Sequence, residues 1–144
     1  MRPDLYQAET ARVAAQQGVL LREAKDIVAQ GRALSPLEQG GVLHALQVLI
    51  ENAIGKAKQT LKARGQPVPV SVYDAFAALT SAELLPAQDL AAWNAIVGLR
   101  NRIVHDYMNI DFSQIAAVLA ADKDLFVIEF LLEPPQKPRR MAMR

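Results

Sequence analysis

The sequence predicts an all-α protein, an antiparallel bundle of four main helices and one short helix. Two features of the sequence support this prediction. Hydrophobic residues make up 51% of the 144 residues but aromatic residues only 6%, a balance typical of helical cores rich in Ala and Leu. Apolar side chains recur every three to four residues along most of the chain, and the internal prolines fall between these periodic segments.

The first two helices are predicted from their start and stop signals. The first spans residues 4–30 and ends at Gly31. The second runs over residues 36–63, because Ser35 and Glu38 form a capping box that satisfies the free N–H groups of the first turn. Both segments carry apolar residues at helical spacing, so both are expected to contribute to one core.

A short third helix and a long fourth helix follow. Ser71 is expected to cap the third helix, which continues to about Thr80 and places Tyr73 and Phe76 in the core. The fourth helix is predicted over residues 86–107, since Pro86 suits a first helical position. This fourth helix carries the most informative residues of the chain.

The fifth helix and a tail complete the chain. Asp111 is expected to cap a helix that runs to about residue 133, with residues 122–124 as a candidate interruption. Residues 134–144 are rich in proline and positive charge and are predicted to form a flexible tail. We therefore expect one helical domain over residues 1–133.

Composition narrows the function classes. The absence of cysteine excludes disulfides and thiolate metal sites, and two histidines without clustered carboxylates argue against a transition-metal site, so no metal or cofactor is expected. The sequence has no secretion signal and no run of 18 apolar residues, which predicts a cytoplasmic protein without a membrane segment. A net charge of +1 means that any RNA contact has to be local.

The fourth predicted helix places charged and polar groups beside its apolar stripe. At about 100° per residue, Arg100 and Tyr107 fall within the same sector as the apolar side chains. That stripe consists of Leu90, Trp93, Ile96, Val97, Ile103 and Val104. A guanidinium is costly to desolvate without a partner, so Arg100 must either pair with an internal acid or face a cleft that binds an anion.

Several residues are candidate partners of Arg100. Glu51 lies on a polar face of the second helix with His44, Gln47 and Lys58, and that face is better interpreted as solvated surface than as cleft. A plain ion pair of Arg100 with Asp106 or Glu51 is the structural alternative to a functional role. If a cleft exists, Glu51, Arg102 and Asp106 are its candidate supporting residues.

The polar residues of this helix suit phosphodiester chemistry. Asn101 and His105 are four residues apart and therefore adjacent on a helix, whereas Arg100 and His105 are five apart, about 140° around the axis. Metal-free RNA cleavage needs a base, an acid and a cation, for which an imidazole and a guanidinium are suited. Because the motif offers one histidine, we expect a twofold dimer to bring two copies to one cleft.

The string Gly-Leu-Arg-Asn-Arg-Ile-Val-His-Asp-Tyr-Met-Asn-Ile-Asp, residues 98–111, resembles the HepT-like toxins of the HEPN ribonuclease superfamily. The resemblance implies a HEPN-like fold and a homodimeric, metal-independent endoribonuclease with Arg100, Asn101 and His105 as catalytic residues. It also implies a nucleotidyltransferase antitoxin that adenylylates Tyr107, a residue that otherwise simply fills a dimer seam.

Two other functions stay open from the sequence alone. The chain is alternatively a non-catalytic HEPN-type module that binds a nucleotidyltransferase or a nucleotide, or a structural helical dimer without chemical activity. RNA cleavage that depends on Arg100 and His105 distinguishes the first function from both alternatives.

Overall fold

The computed structural model describes residues 3–134, with side chains from residue 5 onward. These residues form six α-helices and no strand, which confirms the all-α prediction. The helices are α1 (Pro3–Ala29), α2 (Pro36–Ala63), α3 (Val72–Ser81), α4 (Leu90–His105), α5 (Phe112–Ala120) and α6 (Lys123–Leu132). Within the described part of the chain, no helix combines the length and apolar character needed to cross a membrane.

The predicted tail, residues 134–144, lies outside the described residues from residue 135 onward. The boundary of the helical domain at residue 133 therefore stays a prediction, although α6 ends one residue before it, at Leu132.

The predicted caps are present. The Ser35 hydroxyl accepts from the Glu38 backbone N–H at 3.1 Å, and the Glu38 carboxylate accepts from the Ser35 N–H at 2.9 Å. The Arg32 guanidinium and this backbone N–H together hold the pKa of the Glu38 carboxyl at about 2. Ser71 and Asp111 likewise accept from backbone N–H groups in the first turns of α3 and α5. Local hydrogen-bonding chemistry thus sets where these helices begin.

Two predicted helices differ in their bounds. The fourth helix was expected over residues 86–107, but a 3₁₀ turn at Ala87–Asp89 precedes it and its α-helical part ends at His105. The fifth helix is divided into α5 and α6 at the anticipated interruption, because Asp122 adopts a left-handed backbone conformation with φ of 55°. The bundle therefore has six α-helices rather than four main helices and one short one.

Side-chain contacts define how the helices run. The Gln7 amide near the start of α1 donates to the Leu131 carbonyl near the end of α6, and Lys25 near the end of α1 pairs with Asp124 at the start of α6 at 2.9 Å. The two helices are therefore antiparallel. The middle of the bundle holds a cluster of aromatic rings from α3, α4 and α6, in which Phe76 and Trp93 stack at 4.5 Å between centroids.

Lys56 of α2 is a buried cation that the sequence did not single out. The residue is 3% exposed, and its ammonium group donates to the carbonyls of Phe130 and Glu133 at 2.7 and 2.6 Å. Phe130 lies in the last turn of α6 and Glu133 directly follows the helix, so their carbonyls have no N–H donor from a further helical turn. Burial lowers the pKa of Lys56 to about 8, against an opposing effect of the Glu133 charge. Lys56 thus fastens the end of α6 to α2.

We expect Lys56→Met to lower the free energy of unfolding at pH 7 by about 1–3 kcal/mol, because two carbonyls lose their donor. The difference between wild type and variant should grow as the pH rises. Between the native pKa of about 8 and the ordinary value of 10.5, Lys56 keeps its proton in the unfolded chain and loses it in the folded one. The free energy of unfolding of the wild type therefore gains a contribution that rises with pH over this range, and the variant lacks it. Urea denaturation at pH 7, 8 and 9.5 measures both effects.

The matched control for this prediction is Lys62→Met, which replaces an exposed lysine of the same helix. It should leave the free energy of unfolding within about 0.5 kcal/mol of the wild type. Equal stability of the two variants, or a difference that does not change with pH, would contradict the role assigned to Lys56.

Candidate active site

The apolar stripe of α4 anchors the candidate site to the core. Trp93, Ile96, Val97 and Ile103 are buried as predicted, and Leu99 is buried as well. Val104 was predicted to belong to this stripe, but it is 40% exposed because it lies in the last turn, where α4 leaves the bundle. The polar residues of the motif are therefore carried on a helix whose opposite side is firmly packed.

Arg100 is half-buried and has no acidic partner among the described residues. Its Nη1 donates to the side-chain oxygen of Asn101 at 3.0 Å, while its buried Nε has no hydrogen-bond partner. A neutral amide does not compensate the charge of a guanidinium. The arrangement leaves Arg100 with donors and charge for an external anion.

The candidate ion pairs of Arg100 are not formed. Glu51 is exposed on α2 and accepts only from the Gln47 amide, at 3.4 Å, so its proposed pairing with Arg100 is wrong. Asp106 instead accepts from the Asn109 amide at 2.6 Å. The contact that Arg100 does make is local, because the side-chain oxygen of Asn101, the next residue along the chain, accepts from its guanidinium. The interpretation of this polar face of α2 as solvated surface is confirmed for Glu51, which is exposed.

His105 is the last residue of α4 and is exposed, as is Arg102 one turn earlier. Since α4 stays helical up to His105, the side chains of Arg100 and His105 leave the helix about 140° apart, and no hydrogen bond joins them. One chain thus presents the cation and the imidazole on different sides of the same helix end.

Tyr107 follows α4 rather than belonging to it. It opens the 3₁₀ turn Tyr107–Asn109, so the prediction that it continues the helical stripe is wrong. The ring is 48% exposed, and its hydroxyl lies 3.7 Å from where a Cβ on Gly40 of α2 would stand. The phenol is therefore held at the surface beside the start of α2, at the same end of the bundle as His105.

Tyr73 of α3 is a site residue that the sequence analysis missed. It was predicted to lie in the core, but it is 40% exposed and its hydroxyl accepts from the Asn101 amide at 3.4 Å. Its neighbour Phe76 is buried as predicted. The available signal was weak: Tyr73 shares a helix face with Phe76, and a tyrosine at the border of a core tends to place its hydroxyl against a polar group.

The candidate site lies on the surface of the protein, where His105 and Tyr107 are exposed. Among residues with described side chains, no group of three or more His, Cys, Asp or Glu is placed to hold a metal ion. A cavity of about 490 Å³ lies between α1 and α5, and it is lined by none of Arg100, Asn101, His105 or Tyr107. These four residues are gathered instead at the exposed end of α4.

The family model of the ribonuclease HepT-like proteins matches residues 18–128, which include α2 to α5 and the whole motif. The chain belongs to the HepT-like ribonuclease family. Its fold is similar to a solved structure described as a crystal structure of the toxin-antitoxin with AMP-PNP, with a TM-score of 0.73 and 18% identity over 91% of this chain and 99% of that one. No curated protein sequence matches the chain.

The family match covers the candidate site. The residues Arg100, Asn101, His105 and Tyr107 of this HepT-like chain all lie within the matched range. The structural similarity extends over nearly the whole of both chains, and at 18% identity it shows that they share a fold.

Proposed function

We propose that this HepT-like protein is the toxin of a toxin–antitoxin pair, a cytoplasmic endoribonuclease that cleaves cellular RNA without a metal ion. The observation that carries the proposal is that no carboxylate among the described residues neutralises the charge of Arg100. Its half-buried guanidinium contacts an amide but no carboxylate in the described chain, and an exposed histidine, His105, ends the same helix. An RNA phosphate would supply the missing negative charge.

In the proposed reaction, His105, Arg100 and Asn101 each have a separate role. The RNA 2′-oxygen attacks the adjacent phosphorus, its proton passes to a base, and the bond from phosphorus to the 5′-oxygen breaks as that oxygen takes up a proton. His105 serves as base or acid. Arg100 binds the phosphate oxygens, on which charge builds in the transition state. Asn101 holds the guanidinium through the contact at 3.0 Å, so its role is to orient the phosphate-binding group.

A homodimer would complete this set of groups. One motif supplies one histidine, and within a chain Arg100 and His105 diverge by about 140° around α4. Apolar side chains surround the same end of the helix: Val104 is 40% exposed, Tyr107 48% and Met108 90%. Exposed apolar surface next to a functional site favours a protein partner there. A second copy of the motif would bring a second imidazole to the RNA.

Purified protein should cleave single-stranded RNA in the presence of excess EDTA and leave 2′,3′-cyclic phosphate ends. The cyclic end follows from attack by the 2′-oxygen, and insensitivity to EDTA follows from a mechanism that uses only side chains. Gel analysis of end-labelled RNA measures both. The His105→Ala variant is the control and should leave the RNA intact.

Three results would overturn the proposal. Cleavage that requires a divalent ion would contradict the metal-independent mechanism, and cleavage by a protein that sediments as a monomer would contradict the shared cleft. Tight binding to a nucleotidyltransferase without any cleavage would indicate the non-catalytic module instead.

We also propose that the antitoxin is a nucleotidyltransferase that adenylylates Tyr107. The phenol oxygen would attack the α-phosphorus of ATP, releasing pyrophosphate, while the phenol proton passes to a base of the partner or to solvent. The proposal is supported by the exposure of Tyr107, which is 48% accessible at the surface. An adenylyl group there would add bulk and negative charge beside the motif, which opposes the binding of an RNA phosphate.

A further inference from the structure

Tyr73 approaches the motif from a different helix, and its hydroxyl contacts two places on α4. It accepts from the Asn101 amide at 3.4 Å, and it lies 3.7 Å from where a Cβ on Gly98 would stand. Gly98 and Asn101 are three residues apart and therefore adjacent on the helix surface. The Tyr73 hydroxyl therefore lies close to the surface of α4 at two adjacent positions.

The direction of each hydrogen bond follows from the chemistry of the groups. A guanidinium only donates, so the Asn101 oxygen must face Arg100, which it does at 3.0 Å. The Asn101 NH₂ group is then left pointing toward Tyr73, and the phenol has to accept with its oxygen. Two hydrogen bonds thus connect the three side chains, from Tyr73 on α3 through Asn101 to Arg100, and we call this connection the relay.

This relay matters because Arg100 and Asn101 are consecutive residues. Consecutive side chains leave a helix about 100° apart and do not ordinarily face each other. Asn101 therefore needs a second contact to keep its amide turned toward the guanidinium, and Tyr73 is the group that supplies one. Among the described residues, the guanidinium itself has no acid to hold it, and its Nε has no hydrogen-bond partner.

We propose that Tyr73 is a positioning residue of the candidate site: its hydroxyl orients the Asn101 amide, which in turn fixes the Arg100 guanidinium for an RNA phosphate. This inference rests on the proposed ribonuclease function and extends the site to α3. It assigns Tyr73 no direct contact with the reacting atoms. Its effect passes through Asn101.

Tyr73→Phe removes only the hydroxyl and keeps the ring on α4. We expect the kcat/KM for RNA cleavage to fall about threefold to tenfold, the effect of one neutral hydrogen bond, while the melting temperature stays within about 2 °C of the wild type. In an Asn101→Ala background the same change should have no further effect on kcat/KM, because the relay is already broken. The matched control is Tyr6→Phe, whose hydroxyl lies over Gly55 of α2, away from the motif.

Two results would overturn the inference about Tyr73. One is a Tyr73→Phe enzyme whose kcat/KM equals that of the wild type. The other is a double variant, Tyr73→Phe with Asn101→Ala, whose loss of kcat/KM equals the product of the two single losses. Absence of cleavage by the wild type would instead refute the ribonuclease proposal. In that case, hydrogen exchange of the Asn101 side-chain amide, followed by NMR, decides the matter: equal exchange rates in wild type and Tyr73→Phe would disprove the relay.

Discussion

Arg100→Ala is expected to lower the kcat/KM for RNA cleavage by about 10²- to 10³-fold, the usual effect of removing one donor that stabilises charge in a transition state. The guanidinium has no carboxylate partner among the described residues, so its charge is available to the phosphate. Arg100→Lys should recover only part of the loss, since an ammonium keeps the charge but lacks the planar fork that matches two phosphate oxygens. Single-turnover cleavage of labelled RNA measures both variants.

Arg102→Ala is the control for this prediction. The sequence offered Arg102 as a cleft support, but it is exposed two residues further along the helix and no hydrogen bond or ion pair among the described residues joins it to Arg100 or Asn101. Its removal therefore changes the net charge equally without breaking the contact between Arg100 and Asn101. Its kcat/KM should remain within about threefold of the wild type, as expected for an exposed charge. If Arg102→Ala and Arg100→Ala lost activity to the same extent, a general loss of positive charge would explain the result, and the special role of Arg100 would be refuted.

Tyr107→Phe should abolish silencing by adenylylation while preserving RNA cleavage. Phenylalanine retains the ring beside Gly40 but has no oxygen to attack ATP. Co-expression of the nucleotidyltransferase should therefore rescue growth of cells that carry the wild-type toxin and fail to rescue cells that carry the variant. Intact-mass measurement should show the added adenylyl group on the wild type and not on Tyr107→Phe.

The other two tyrosines, Tyr6 and Tyr73, provide the comparison for Tyr107. Tyr6→Phe should be modified and silenced like the wild type, because that hydroxyl is packed against α2 at Gly55. A Tyr107→Phe protein that still gains an adenylyl group would place the modification elsewhere. Silencing of that variant without any mass change would mean that the partner acts by covering the site.

The fold could be predicted because its signals are local. Ser35 and Glu38 form the predicted capping box, Ser71 and Asp111 cap the predicted helices, and Gly31 ends the α1 region with a positive φ of 89°. Each of these depends on residues within a few positions of one another. The burial of Trp93 followed from helical periodicity in the same way.

The candidate site was predicted only in part, because its geometry depends on where a helix ends and on what a distant helix contributes. Spacing placed Tyr107 on the stripe of α4, yet the helix ends at His105 and the tyrosine turns toward Gly40. The cost of an unpaired guanidinium also suggested Glu51 as a partner of Arg100, whereas the adjacent Asn101 accepts the contact that Arg100 makes. The buried Lys56 gave no signal, since its acceptors lie more than 70 residues away.

The sequence by itself determined that this chain is an all-α protein, and it singled out one short string, residues 98–111, as the candidate site, because helix periodicity, caps and motif order all depend on neighbouring residues. Only the tertiary structure decided that Arg100 has an amide rather than an acid beside it, and that Tyr73 reaches across from α3 to hold that amide. Contacts between helices depend on how side chains fill the space between them, and no local pattern in the sequence records that arrangement.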